Sequence, residues 1–312
     1  MSLAGIRRRI SPEVLYVLAV TIWGIAFLPL MWREFLFAMD THFSADFEIF
    51  ARASEAAWAG RDIYSIPTCD GCAYRYSPLF AYLFAPIATL GVTVWTGLHL
   101  AAVFAFPFRI ARILPLLWPF WWDVGVGSNL IFIVLMAYYA MLGKRWAVAA
   151  ILATSLLVPR PLMVPIVAWL LWQHRGARFP FAVAAVGALA FAYASGHLAG
   201  WAEILASSGS ELGVPYNVGP SAIIGLAWIP IGLALAVWLF WKGRVGLAAL
   251  AVSPYWLPYY LMMPIVDFRR AIQPKAADQG LPPRVTTESM PSLAVDSSVG
   301  PSGATSQSTD TD

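Results

Sequence analysis

The sequence has little charge and few residues that bind metals. Charged residues make up 12% of the 312 and the net charge is +3, which is roughly half the charged fraction of a soluble domain and gives no argument for nucleic acid as a partner. The two cysteines are too few to predict a zinc site, and the four histidines lack the spacing of a metal motif. The sequence has no Walker loop and no dinucleotide fingerprint, which argues against a soluble domain that binds a nucleotide sugar. We therefore predict no metal site and no cofactor.

Apolar residues are abundant instead. Hydrophobic residues make up 60% of the chain, and 15 Trp and 12 Tyr suit the headgroup level of a bilayer. Because a spanning helix needs about 20 residues, the pattern predicts an all-α polytopic transmembrane bundle of about nine to eleven spans. The segment 77–107 is either one long tilted helix or a tight pair that turns near Gly91. The apolar segments are 15–32, 77–107, 111–124, 127–142, 146–158, 161–173, 179–197, 220–241 and 246–268.

The basic residues predict the topology. Ser11, Pro12 and Glu13 form a helix start, and the run Arg7-Arg8-Arg9 before it places the N-terminus in the cytoplasm. The apolar run that follows is long enough to remain as a span, so no cleavable signal peptide is predicted. Arg160 then falls outside, in the break Val158-Pro159-Arg160-Pro161. The cytoplasmic clusters are Lys144 with Arg145, Arg175 with Arg178, Lys242 with Arg244, and Arg269 with Arg270.

Three polar regions interrupt or follow the apolar segments. Residues 33–75 form an acid-leaning outside loop, in which 44–60 is predicted to be an amphipathic helix capped by Ser44, with Glu48 paired to Arg52 and an end at Gly60. Residues 198–219 are predicted to form a second outside loop. Residues 276–312 are rich in Ser, Thr, Pro and Gly and predict a disordered cytoplasmic tail, which leaves 1–275 as the membrane domain.

The first loop carries short motifs in a fixed order. Asp46 is followed by an aromatic residue and an Ala-rich stretch, then by Gly60-x-Asp62-x-Tyr64 and Tyr74-x-Tyr76-x-Pro78. This order resembles the beginning of glycosyltransferase family 87, a group of GT-C integral membrane enzymes. The resemblance covers about residues 10–270 and is weaker beyond the first loop. There it rests on Gly127-Ser128-Asn129, without the Gln that the family has beside Asn129, on Pro159-Arg160-Pro161, with Arg in place of Lys, and on Ser253-Pro254-Tyr255 with Pro258-Tyr259.

The resemblance implies an inverting glycosyltransferase of the bacterial cytoplasmic membrane whose active site faces outside. The donor would be a hexose or pentose on a polyprenyl phosphate, and the acceptor a glycolipid or cell-envelope glycan. Asp46 would be the general base. Physical chemistry agrees, since the free amides of a first helical turn favour an ionised carboxylate. The alternative is that Asp46 only stabilises the start of its helix.

Arg160 is the second candidate. A cation at a helix break near membrane depth needs a partner, and a lipid phosphate would supply one that the planar guanidinium can grip. The alternative is an interfacial arginine that reaches the headgroups. Arg75 has the same two interpretations. Further candidates for substrate binding are Asp40, Tyr76, Asn129 and Tyr255, of which Asn129 and Tyr255 could instead bind neighbouring helices.

Cys69 and Cys72 are predicted to form a disulfide that pins the first loop. Among the histidines, His42 is of interest because it lies near Asp40 and Asp46 in sequence. Two other functions remain open. A transporter or lipid flippase also uses broken helices, and a non-catalytic scaffold would bind partners through a loose first loop and the tail.

Overall fold

Helices make up the described part of the chain, which contains no strand. The computed structural model describes residues 11–41, 44–66, 73–207 and 217–271. Short 3₁₀ helices cover Leu114–Leu116, Arg175–Ala177 and Gly225–Ala227, and a longer one covers Pro258–Ala271. The α-helices are α1 Pro12–Thr41, α2 Ala45–Trp58, α3 Pro78–Ala105, α4 Phe108–Ala111, α5 Trp118–Val126, α6 Leu130–Met141, α7 Arg145–Leu157, α8 Met163–Gln173, α9 Arg178–Ala194, α10 Leu198–Ser207, α11 Ser221–Ile224, α12 Trp228–Trp241 and α13 Val245–Val252.

Four helical segments of the described residues are long and apolar enough to cross a membrane: Pro12–Pro29, Pro78–Ala105, Arg175–Ala194 and Ser221–Trp241. Only 11% to 22% of each segment is buried inside the protein, so their apolar side chains point outward. Ile22 and Phe179 are examples, with exposed fractions of 66% and 78%. Exposed apolar surface of this extent would promote aggregation in water and is typical of a surface that contacts lipid. The arrangement indicates an integral membrane protein.

The predicted count of nine to eleven spans is not supported. Helices α6, α7 and α8 have 12, 13 and 11 residues, which at 1.5 Å per residue gives about 17–20 Å against a hydrocarbon core of about 30 Å. Helix α6 is largely buried, through residues such as Ile131, Ile133 and Val134. Helix α6 is apolar because it forms part of the protein core, and a hydropathy pattern does not distinguish burial in a core from contact with lipid.

Helix α3 contains a break at Gly91. The backbone there is non-helical, with φ 81° and ψ 169°, a conformation that glycine adopts without the steric cost of a Cβ atom. The break therefore lies where the sequence predicts a turn near Gly91 if 77–107 forms a pair of helices. His99 belongs to the part of α3 that follows the break.

Helix α2 is amphipathic, as predicted, and is docked on the bundle. Phe47, Phe50, Ala53 and Ala57 repeat at helical spacing and are buried, whereas the exposed face carries the ion pair between Glu48 and Arg52. The Phe50 ring lies 5.2 and 5.3 Å from the rings of Phe80 and Phe84 on α3, centroid to centroid. The helix ends before Gly60, which adopts a φ of 66°, so the predicted end is confirmed.

Some predictions concern segments outside the described residues. The chain divides after Ile272, and all of the described residues belong to the first unit. The tail 276–312, Cys69, Cys72 and His42 lie outside the described part. Helix α10 occupies Leu198–Ser207, the first half of the predicted second loop 198–219, and it is not among the segments long enough to cross a membrane.

Candidate functional site

Arg160 lies in the predicted break between two short helices. Helix α7 ends at Leu157 and α8 begins at Met163. Pro159 and Pro161 explain the break, because proline has no amide donor and also restricts the residue before it to extended backbone. The basic pairs at Lys144 and at Arg175 lie at the opposite ends of α7 and α8. Arg160 is therefore separated from both pairs by the length of a helix.

Aromatic side chains surround the Arg160 guanidinium. Its central carbon lies 5.3 Å from the ring centroid of Tyr76 and 5.8 Å from those of Tyr259 and Tyr260, within the range of cation–π attraction. One terminal nitrogen donates a hydrogen bond to the Tyr76 hydroxyl. The other, Nη1, is buried without a hydrogen-bond partner. This nitrogen leaves Arg160 with donor capacity for an anionic group.

Asp46 lies in the first turn of α2, as predicted, but Ser44 does not cap the helix. Ser44 has a left-handed backbone, with φ 63° and ψ 29°, and its hydroxyl accepts no capping hydrogen bond. A capping side chain reaches the amides of the first turn from extended backbone, which Ser44 does not have. Its amide instead donates to the Gly125 carbonyl at 2.7 Å. The beginning of α2 is thus fixed by a hydrogen bond to the last turn of α5.

The Asp46 carboxyl is partly buried, and its Oδ2 atom has no hydrogen-bond partner. Burial raises the pKa of Asp46 above its ordinary value, while the Arg160 cation, Ser128 and His99 act in the opposite direction. Among the described contacts, Asp46 and Arg160 form no direct ion pair. The two opposite charges therefore act on each other while each keeps a free hydrogen-bonding atom.

A second polar pair lies beneath Asp46. His99 of α3 and Asp123 of α5 are fully buried, and the His99 Nε2 atom lies 3.9 Å from the Asp123 Oδ2 atom. Asp123 also accepts a hydrogen bond from the amide of Ile131, in the first turn of α6, at 3.0 Å. Asp46 and Arg160 are close enough to act on the Asp123 charge. The structure therefore joins two acids and two basic side chains from four parts of the chain.

Gly127 packs closely against the beginning of α2. Its φ is 68°, and a Cβ atom added there would lie 3.1 Å from the Phe47 Cβ atom and 3.4 Å from the Ser44 Cα atom. Gly127→Ala is expected to lower the free energy of unfolding, because the left-handed backbone costs about 1–2 kcal/mol for alanine and the new methyl group adds overpacking of roughly 1–3 kcal/mol. Thermal unfolding in detergent measures the effect.

Gly60 provides the matched control for this substitution. Its φ is 66°, and a Cβ atom there would meet nothing within 4 Å. Gly60→Ala therefore carries the backbone cost alone and should lower the melting temperature less than Gly127→Ala. Equal shifts for the two variants would show that the contact between Gly127 and α2 does not limit stability.

An apolar cavity lies beside Asn129. The cavity is partly open, has a volume of about 210 Å³ and lies between α3, α6 and the end of α7. Asn129 and Thr154 are polar residues of its lining. The Asn129 Oδ1 atom is buried without a hydrogen-bond partner. Asp46 and Arg160 do not line this cavity, although Val158 is close to Arg160 in the chain.

The remaining predicted residues are placed as follows. Tyr255 is buried with its ring 6.2 Å from that of Tyr260, at the edge of the Arg160 surroundings. Arg75 is partly buried next to Tyr76, and it is not among the charges that act most strongly on Asp46. Asp40 belongs to the backbone of α1, and its side chain lies outside the described residues. Among the described residues, no group of three His, Cys, Asp or Glu side chains is arranged to hold a metal ion.

Sequence reasoning missed His99, Asp123 and Tyr260. Both His99 and Asp123 stand alone in apolar stretches, and an ionisable residue in such a stretch is by default a candidate for function. The sequence therefore contained a reason to consider each residue. It contained no indication that the two would pair, because the pairing depends on how α3 packs beside α5.

No protein-family model matches the chain, and no curated protein or solved structure shows significant similarity to it. The resemblance to glycosyltransferase family 87 therefore stays a hypothesis that rests on the motifs quoted above and on the geometry of this site.

Proposed function

We propose that the protein is an integral membrane glycosyltransferase of GT-C type. It would move a hexose or pentose from a polyprenyl-phosphate donor to an extracytoplasmic glycolipid or cell-envelope glycan, with inversion. One observation carries the proposal: Asp46 and Arg160, distant in sequence, act on each other's charge at one site and each keep a buried hydrogen-bonding atom without a partner. The transfer needs a carboxylate that accepts a proton and a cation that stabilises the leaving phosphate, and the permanently charged guanidinium of Arg160 provides the second.

Asp46 would take the proton from the acceptor hydroxyl as its oxygen attacks the anomeric carbon. The carboxylate must be ionised to do so, and Arg160 and His99 favour that form against the effect of burial. The free Oδ2 atom supplies the acceptor lone pair for the proton. As the new glycosidic bond forms, the bond from the sugar to the phosphate oxygen breaks, and its electrons leave with the lipid phosphate.

Arg160 would stabilise the departing phosphate. A phosphate leaves as a stable anion and needs charge stabilisation more than a proton donor. The aromatic rings and the Tyr76 hydroxyl hold the guanidinium in one orientation, so less side-chain freedom is lost on binding. The apolar cavity beside Asn129 is suited to the first part of the prenyl chain.

The orientation in the membrane belongs to the same proposal. The basic pairs at Lys144 and Arg175 lie at the other ends of α7 and α8 from Arg160. Although α7 and α8 are shorter than a span, both lead from these basic pairs toward Arg160. Since cytoplasmic ends carry the excess of Lys and Arg, Arg160 and Asp46 would lie toward the outside of the bacterial cytoplasmic membrane. The donor and acceptor would meet there.

The test is an in vitro transfer assay with purified protein and a panel of synthetic polyprenyl-phosphate sugars. The expected result is a glycosylated acceptor and an equal amount of released lipid phosphate. Transport of the lipid across proteoliposomes without cleavage of the sugar–phosphate bond would refute the proposal and support a flippase.

A transporter is the second candidate because Asp123 and His99 form a buried acid–base pair, and such pairs occur in proton relays of membrane carriers. The assay above separates the two functions. A scaffold that binds through a loose first loop is not favoured, because α2 buries Phe47, Phe50 and Ala53 against the bundle.

A further inference from the structure

His99 and Asp123 sit under the turn that carries Ser128 and Asn129. The Trp95 indole donates to the Gly127 carbonyl at 2.8 Å, and the Ser128 amide donates to the Asp123 carbonyl at 3.1 Å. One turn of α3 further on, His99 contacts the Ser128 carbonyl. Side chains from α3 and backbone from α5 therefore hold the Gly127–Asn129 turn in place.

Both ring nitrogens of His99 face carbonyl oxygens. Nδ1 lies 2.9 Å from the Trp95 oxygen, and Nε2 lies 2.5 Å from the Ser128 oxygen. A neutral imidazole has one N–H donor and one lone pair, whereas the imidazolium has two donors. In a neutral ring, the nitrogen without a proton would point its lone pair at a carbonyl oxygen, so one of the two hydrogen bonds would be lost. The geometry is satisfied by the protonated ring, and the Asp123 carboxylate beside it supplies the opposite charge.

We propose that His99 and Asp123 form a buried imidazolium–carboxylate pair that positions the Gly127–Asn129 turn beneath Asp46 for catalysis. The two are positioning residues, because neither touches the reacting atoms in the mechanism above. The inference rests on the proposed glycosyltransferase function. The other charged groups that face the pair are Asp46 from α2 and Arg160 from the break after α7. The four formal charges then cancel, which a buried site requires.

The Gly127–Asn129 turn links this pair to catalysis by two contacts. Gly127 touches Phe47, the residue after Asp46, and Gly125, just before the turn, accepts the hydrogen bond from Ser44 that fixes the beginning of α2. A shift of the turn therefore shifts the Asp46 carboxylate. Small displacements of a catalytic group lower the rate with little change in ground-state binding.

Asp123→Asn tests the positioning role. The amide oxygen of Asn can still accept from the Ile131 amide, so the variant removes the charge and keeps the helix cap. We expect kcat to fall by roughly 10–100-fold while KM for the lipid-phosphate sugar stays nearly unchanged.

Asp267→Asn is the matched control. Asp267 is a buried acid that accepts from the amides of Gly246 and Leu247 at the start of α13, at the far end of the 3₁₀ helix from Tyr259 and Tyr260. This variant should lose thermal stability and keep the kcat of the folded protein. If Asp123→Asn and Asp267→Asn give the same kcat per folded molecule, the positioning role is wrong.

A double-mutant cycle tests the charge on His99. His99→Gln alone leaves the Asp123 carboxylate without its imidazolium, and Asp123→Asn alone does the reverse. If the pair is ionic, each single variant should melt well below the wild type and the double variant should recover part of that loss. Additive shifts in melting temperature would mean that His99 is neutral.

The double variant allows the positioning role to be tested even if a single variant does not fold, because it removes both charges and leaves neither unpaired. Its kcat should remain low, and a wild-type kcat in that variant would overturn the positioning role. The outcomes are separable from the proposed function. Loss of transfer in an Asp46 variant with normal transfer in the Asp123 variants would leave the glycosyltransferase proposal intact. If the wild type transfers no sugar, the proposed function fails, and the stability cycle still tests the ion pair.

Discussion

Asp46→Asn is expected to lower kcat for sugar transfer by roughly 10²–10⁴-fold, the usual contribution of a positioned general base. The asparagine side chain has nearly the same shape, but it does not take up a proton. Loss of the Asp46 charge leaves the partly buried Arg160 cation with less counter-charge, so some loss of thermal stability is expected. The measurement is initial transfer rate per folded molecule, with melting temperature measured on the same samples.

Glu48→Gln is the control for this prediction. Glu48 lies in the same first turn of α2, but its side chain is 51% exposed and paired with Arg52. Exposed pairs of this kind contribute about 0–1 kcal/mol, so this variant should transfer sugar at the wild-type rate. Normal transfer by Asp46→Asn, or equal losses in both variants, would remove Asp46 from the catalytic role.

Arg160→Gln is expected to have two separate effects. It removes the cation proposed to stabilise the phosphate, which should lower kcat by roughly 10²–10³-fold, as for loss of one electrostatic stabiliser. It also removes the cation that opposes the effect of burial on Asp46, so the pKa of Asp46 should rise further. A base with a higher pKa is protonated up to a higher pH, and the acidic limb of kcat/KM should therefore move to higher pH. A full pH profile separates the two effects.

Arg160→Lys distinguishes the charge from the shape of the side chain. Lysine keeps the positive charge, so the acidic limb should stay close to its wild-type position. It lacks the planar fork and stacks less well on aromatic rings such as Tyr76 and Tyr259, so the rate should still fall. An acidic limb that does not move in Arg160→Gln would contradict the electrostatic link between Arg160 and Asp46.

Features with a local cause were predictable from the sequence. The amphipathic spacing of Phe47, Phe50 and Ala57 predicted α2 and its buried face. The prolines on either side of Arg160 predicted the helix break, since each removes an amide donor. Gly60 and Gly91 marked the helix end and the helix break because both adopt positive φ angles.

Features that depend on packing were not predictable. The apolar sequence of α6 is compatible with a span, yet its buried residues form the core, so the number of spans was overestimated. Ser44 has the right chemistry for a cap, but docking on Gly125 imposes a left-handed backbone. The approach of His99 to Asp123 depends on contacts between α3 and α5, which no local pattern contains.

The order in which the site's parts leave the ribosome follows from their positions along the chain. Asp46 is made early, whereas Arg160 and then Tyr259 and Tyr260 emerge much later. Because chains are synthesised from the N-terminus, Asp46 is inserted before Arg160 and before the tyrosine rings that surround the guanidinium. By the proposed mechanism, the protein gains transfer activity only after nearly all of its helices have been inserted, and chains released before residue 258 should lack it.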